Sequence, residues 1–371
     1  MIKKSMDIHK LLKTLTETPG PSGYEDQIAA VIEELWQPYV DTITRDRVGS
    51  LIATKRATKN GRTPPRRILL AAHMDEIALM VRDVEEHNGS GFLRVTPIGG
   101  VDTRQVFGQL VVVHGRKNLT GVIGCLPARM LPEEKQDKPF DFEDLLVDMG
   151  LPIETVNSQI SIGDFISFRQ PLLKLMNKRV AGKSLDNRAS VAAVTVCLEQ
   201  LQQRQHTWEV IAVATAQEET RLLGAYTTAF AVQPDAAIAI DVTFGKGPGA
   251  NEHVTHELGG GPALDLGPNV HTGMFNALKA TAEEMELNIN IETHQRASGT
   301  DAHGLQIAHA GIPTAIVAIP LRYMHTMVES VALKDVERAG RLLAEFIVGL
   351  DEEFLGKLAT GVMEEEKESK S

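Results

Sequence analysis

Four apolar runs with the texture of buried strands each lead, within a few residues, to a histidine or an acid. Ile68-Leu69-Leu70-Ala71-Ala72 leads to His73 and Asp75, and Val210 to Thr215 leads to Glu218 and Glu219. Ala236-Ala237-Ile238-Ala239-Ile240 ends on Asp241, and Thr314 to Ile319 is followed by His325. Short continuous apolar runs of this kind suit strands covered on both faces. Helical patterning lies between them, over about Asn187 to Gln203 and near Gly273 to Glu286. A long amphipathic helix through Val336, Leu343, Phe346, Ile347 and Leu350 closes the chain. Strands alternating with helices predict an α/β fold with a mixed, largely parallel sheet and flanking helices. Such a sheet presents its chemistry at the carboxyl ends of its strands.

The approach to this core is helical. Ile8, Leu11, Leu12 and Leu15 share one helix face, which the break Pro19-Gly20-Pro21 ends. Ile28, Val31, Ile32 and Leu35 mark a second helix, with Ser22 and Glu25 at capping-box spacing before it. Strand-like runs follow around 48–53 and 67–73. From Ile77 to Ser167 the texture changes to short β-prone runs punctuated by glycine, such as Phe92 to Thr96, Leu110 to His114 and Gly121 to Cys125. An acidic patch, Asp141 to Asp148, interrupts them. The expected organisation is a catalytic domain in two parts, residues 1–76 and 178–371, interrupted by an inserted β-rich domain over residues 77–177. A chain of 371 residues has room for both.

Composition narrows the function classes. A net charge of −11 argues against nucleic acid as the main partner, because phosphate binding needs a basic surface. No apolar run approaches the 18 residues of a membrane span, and Lys3 and Lys4 are not followed by the apolar stretch of a signal peptide. The two cysteines, Cys125 and Cys197, have no metal-binding or disulfide-framework spacing. Cytoplasmic residence is the default expectation, and the acidic tail Glu364-Glu365-Glu366 reads as a frayed end.

The candidate chemistry lies at the strand ends. In a strand, positions i and i+2 face the same way, so His73 can bind a metal while Asp75 hydrogen-bonds or assists beside it. The plainer alternative is a strand-end histidine next to a solvated carboxylate. Asp186 begins a helix, either as an ordinary cap or as a carboxylate that bridges two cations. Glu218 and Glu219 are adjacent, so one suits a metal and the other a base over a bound water; otherwise they are exposed loop acids. Asp241 and His325 are each a turn residue or a ligand. Together two imidazoles, three acids and a spare Glu suit Zn²⁺ or Co²⁺. Two such ions sharing one carboxylate clamp and activate a water.

At these residues the chain resembles the M42 family of metallo-aminopeptidases, relatives of glutamyl aminopeptidase and the tetrahedral aminopeptidases. The resemblance runs through Thr18-Pro19-Gly20-Pro21-Ser22-Gly23-Tyr24-Glu25, Ala72-His73-Met74-Asp75-Glu76-Ile77 and Leu185-Asp186-Asn187-Arg188. It continues through Gln217-Glu218-Glu219, Ile240-Asp241-Val242-Thr243, Gly299-Thr300-Asp301-Ala302 and Arg322-Tyr323-Met324-His325. It implies a zinc-peptidase fold with an inserted dimerisation domain, and dimers that build hollow dodecamers. The implied substrates are peptides, shortened from the N-terminus, and the implied cofactors are two divalent ions per subunit.

Carried over, the resemblance makes Asp186 the bridge between the two metals. Glu219 and His325 complete one coordination sphere, and His73 and Asp241 the other. Glu218 is the general base on the water between the metals, and Asp75 orients His73. Three positions depart from the family pattern: Arg221 stands where the turn carries glycine, His303 where a small residue is usual, and Arg129 where a histidine is common. A glutamyl-selective pocket would need a basic group, for which Lys246 and Arg221 are the candidates, each otherwise a solvated loop residue. Two rival readings are a glycoside hydrolase of endoglucanase type and a non-catalytic assembly protein. The first has only Trp36 and Trp208 to line a sugar groove.

Overall fold

The computed structural model describes residues 6–59, 61–138 and 140–360. Lys3, Lys4 and the tail Glu364-Glu365-Glu366 lie outside the described residues. The chain opens its main sheet with β1 (Thr42–Arg45), β2 (Leu51–Lys55) and β3 (Arg67–His73). It then leaves for β4 (Ala78–His87), β5 (Ser90–Ile98), β6 (Leu110–His114), β7 (Asn118–Gly124), β8 (Leu146–Pro152) and β9 (Phe165–Phe168). It returns with β10 (Leu173–Leu175), β11 (Arg179–Gly182), β12 (Glu209–Thr215) and β13 (Ala236–Phe244). The last strands are β14 (Ala263–Leu266), β15 (Asn290–Thr293), β16 (Thr314–Arg322) and β17 (Glu329–Ala332).

The main sheet runs β1-β2-β12-β3-β13-β16-β17-β11-β10, with β14 against β16 and β15 against β14. The four apolar runs form its centre, β12-β3-β13-β16, and all three pairings there are parallel. The flanks are antiparallel. Where flanking neighbours follow one another in the chain, as β1-β2 and β16-β17 do, the connection is too short for the helical crossover that a parallel pair needs. Between β1 and β2, for instance, the Asp46 carboxylate accepts from the backbone of Val48, Gly49 and Ser50 and closes a tight turn. The result is a mixed α/β sheet whose central carboxyl ends meet at one edge.

Helices cover the sheet. The helix Leu185–Leu201 is buried along nearly its whole length, between the sheet and the helices Ile8–Glu17 and Leu333–Gly349. Close approach here depends on Gly340, where a Cβ would stand 2.5 Å from Ala193 O and 2.6 Å from Val196 Cβ. Gly340→Ala is expected to destabilise the protein by about 1–3 kcal/mol through overpacking. Thermal melts check this, and an unchanged Tm would contradict so tight a helix contact.

The six intervening strands close into a barrel, β4-β5-β8-β7-β6-β9, around a core of its own that includes Leu79, Val95, Val111, Val113 and Ile166. The acidic patch does not simply interrupt the strands. Asp141 and Asp144 box the turn Phe142–Asp144, and β8 begins at Leu146. The capping box expected at Ser22 and Glu25 also does not form. The second helix is Asp26–Trp36, and the Glu25 carboxylate accepts instead from Gly23 N and Gln217 N, tying the helix start to the loop after β12. Both cysteines are free, with Cys197 in the core. No helix among the described residues is long and apolar enough to cross a membrane.

Candidate metal centre and active site

His73 ends β3, Glu218 and Glu219 follow β12 by a short turn, Asp241 lies within β13, and His325 follows β16. Asp186 comes from the first turn of the buried helix after β11. The turns that deliver these groups are conformationally costly. Ser184, Gln217, Leu222, Tyr323 and His325 all have φ between 56 and 64°. For a residue other than glycine, each such conformation costs on the order of 1 kcal/mol, and it persists only where the surroundings enforce it.

The enforcing bonds are buried carboxylates. Asp75 accepts from the backbone N–H of both Glu218 and Glu219 at 3.1 Å. Glu329 accepts from Asp186 N at 3.0 Å and from His325 N at 2.9 Å. Glu76 holds Lys183 and Ser184, each at 2.5 Å, and also accepts from Gly20 N. Asp301 accepts from Thr215 Oγ1 at the end of β12.

These turns converge on Asp186. Its Oδ1 is 3.2 Å from His73 Nε2, and its Oδ2 is 3.5 Å from His325 Nε2. Glu219 Oε2 lies 3.5 Å from His325 Nε2. On the other side, Glu218 Oε2 and Asp241 Oδ1 stand 3.8 and 4.0 Å from His73 Nε2. Asp75 Oδ1 is 3.4 Å from the far ring nitrogen of His73. Ligand atoms of His73, Asp186 and Glu219 lie within 4.8 Å of one another, as do those of His73, Glu218 and Asp241. All seven residues singled out in the sequence therefore meet at one place. Two sets of donors open on a cavity of about 460 Å³.

The electrostatics show what such a cluster lacks. Burial, reinforced by the charge of Asp186, pushes Glu219 up to about 8. Burial likewise raises Glu218 and Asp241 well above the usual carboxylate range. Burial opposes ionisation of Asp186 too, but its hydrogen-bonded partners His325 and His73 hold it low. The hydrogen bond to Asp186 raises His325 to about 9. Burial works against charge on His73, yet the carboxylates of Glu218, Asp186 and Asp75 outweigh it and raise this histidine as well.

Among the described residues, the ion pairs of Asp186, Glu218, Glu219 and Asp241 are all to these two imidazoles and none is to lysine or arginine. Buried carboxylates without a compensating charge are strongly unfavourable. Divalent cations supply that charge, and carboxylates with neutral imidazoles are the donors that Zn²⁺ and Co²⁺ accept. The residues present therefore fit a metal centre.

Sequence reasoning passed over Glu329 and gave Asp301 no role, although Asp301 sits in a quoted motif. Both act by holding other groups in place, which no local pattern reports. Among the departures, Arg221 is exposed on the cavity wall, and His303 packs edge-on to Tyr226. Arg129 is exposed in a turn between β7 and β8.

Residues 49–342, which include every position placed in the site, match the M42 glutamyl aminopeptidase model. The chain belongs to the M42 peptidase family. Its relatives include the lysyl aminopeptidase of Pyrococcus furiosus, 34% identical over 90% of this chain and 94% of that protein. Among solved structures, the TET aminopeptidase of a marine-sediment thaumarchaeon superposes with a TM-score of 0.87 at 29% identity, covering 95% of this chain and 98% of that one. The TET1 peptidase of Pyrococcus horikoshii, described as assembling into a tetrahedron or a large octahedral shell, matches with a TM-score of 0.80 at 29% identity. That match covers 93% of this chain and all of the other. This M42 chain is thus an enzyme of a family of hydrolases acting on peptide bonds.

Proposed function

We propose that this M42 peptidase is a two-metal aminopeptidase that removes residues one at a time from the N-termini of peptides. The observation that carries the reading is the position of Asp186, whose two oxygens each face a different histidine with a further acid beside each. Asp186 would hold both ions, Glu219 and His325 one of them, and His73 and Asp241 the other. Two bound divalent ions, zinc or cobalt, supply Lewis-acid polarisation of the scissile carbonyl and acidify a water.

Glu218 does the proton work. It stands at the cavity wall beside both donor sets, where a carboxylate can take a proton from the attacking water and deliver it to the leaving amine. Asp75 positions rather than reacts: it fixes the Glu218–Glu219 backbone and orients the ring of His73.

The family's assembly belongs to the same proposal. The barrel would serve as the dimerisation domain of a zinc-peptidase fold divided at 1–76, 77–177 and 178–371. Dimers on the edges of a tetrahedron would make a dodecamer. Unpaired cysteines suit a reducing, cytoplasmic setting. A glycoside hydrolase finds no support in the cavity, because Trp36 and Trp208 are both fully buried elsewhere.

The test is hydrolysis of amino-acid amides and of cellulose before and after chelation. Amide turnover should fall by about 100-fold or more on metal removal and return with Zn²⁺ or Co²⁺. Chelator-resistant cleavage of cellulose would contradict the reading.

A further inference from the structure

The catalytic cavity holds a second group of acids that the mechanism does not use. Asp265 on β14 and Glu292 on β15 are register partners in a parallel pair. His294 follows Glu292 by two residues, so all three side chains fall on one face. They line the same cavity as His73 and Asp186. Asp265 is only 3% exposed. Its Oδ2 accepts from His294 Nε2 at 2.8 Å, whereas its Oδ1 is buried with no hydrogen-bond partner. Glu292 Oε2 accepts from Thr243 Oγ1 and lies 3.5 Å from His256 Nε2. Its Oε1 is 3.7 Å from His294 Nε2, beyond hydrogen-bond reach. A buried carboxylate oxygen left without a donor is rare and costly, and Asp265 is among the residues that line the catalytic cavity.

We propose that this cluster receives the side chain of the substrate's first residue and selects lysine and arginine. The proposal rests on the aminopeptidase reading, because the substrate's free amine must sit at the metal donors for its side chain to arrive here. The dimensions agree. Thr243, bonded to Glu292, lies two residues beyond Asp241 on β13, a separation of about 6–7 Å. That span suits the stem of a lysine or arginine side chain. Ile316 and Ala318, on one face of β16, give the stem an apolar floor, and the charged head meets the acidic pair Asp265 and Glu292.

The chemistry also excludes the alternatives. A glutamate side chain would meet like charge, and a leucine would leave Asp265 Oδ1 without a donor. Lys246, which a glutamyl pocket would need, is paired with Glu252 at 3.1 Å and Glu257 at 3.7 Å. Arg221 lines the cavity from the loop after β12, with β3, β13 and β16 between that strand and β14. A metal ion is the competing occupant, because ligand atoms of Asp265, Glu292 and His294 lie within 4.8 Å of one another, and counting bound zinc separates the two.

The test uses the metal-loaded full chain and the p-nitroanilides of lysine, arginine, leucine and glutamate. The lysine and arginine substrates should exceed leucine in kcat/KM by about tenfold or more, and glutamate by about 100-fold or more. Asp265→Asn and Glu292→Gln should each lower the lysine-to-leucine ratio by about tenfold. A ratio taken within one variant is unaffected by loss of folded enzyme. Leucine or glutamate cleaved as well as lysine, a ratio unchanged in both variants, or the loss of a third bound zinc in both would overturn the subsite. Wild-type enzyme that cleaves none of the four would overturn the aminopeptidase reading itself, whereas similar cleavage of all four would overturn the subsite alone.

Discussion

Glu218→Gln should retain both metals and lose about 1,000-fold in kcat, within the range expected when a general base is removed. The reason is a division of labour around His73. Asp186 and Asp241 face its Nε2 as the proposed ligands, while Glu218 faces the same nitrogen from the cavity wall at 3.8 Å. Glutamine keeps the size and the hydrogen-bonding capacity but cannot carry the proton from water to amine. KM should change little, because on the proposed mechanism groups other than Glu218 hold the free amine and the carbonyl. Metal analysis beside steady-state kinetics reads both halves. Undiminished turnover would remove Glu218 from the mechanism, and loss of metal would make it a ligand instead.

Asp186→Asn should be more damaging and differently so. It removes the one charge shared between the two donor sets and leaves a single carbonyl oxygen where His73 and His325 each face their own. Both metal affinities should fall, by about 100-fold or more, since outer partners of metal ligands alone are worth 10–100-fold. Activity should fall with them and recover only in part at high metal concentration. The backbone at this position is held by Glu329 rather than by the Asp186 side chain, so the fold should survive the change. Titration of the stripped variant with Zn²⁺ decides the matter: two tight equivalents would contradict a bridging role.

The parts of this arrangement visible in the sequence share a cause. β3, β12, β13 and β16 are covered on both faces, so their apolar runs stand out without alternation, and a histidine or acid at the end of such a run is conspicuous. The short strands were hidden for the converse reason. β14 and β15 have four residues each and no apolar run, yet they carry Asp265 and Glu292. Ser22 and Glu25 have the spacing of a capping box, but the nearby Gln217 N–H, far away in sequence, claims the Glu25 carboxylate. Glu329 and Asp75 likewise act on backbone N–H groups that only the folded chain brings to them. Local pattern reports burial and turn chemistry, but it does not report which distant donor a carboxylate will meet.

The account depends most on a pair of ions flanking Asp186, and anomalous diffraction from crystals of the zinc-loaded protein tests that directly. Two peaks about 3.5–4 Å apart are expected, one beside His73 and Asp241 and the other beside Glu219 and His325, with Asp186 between them. A single peak, or two peaks that do not share Asp186, would contradict it.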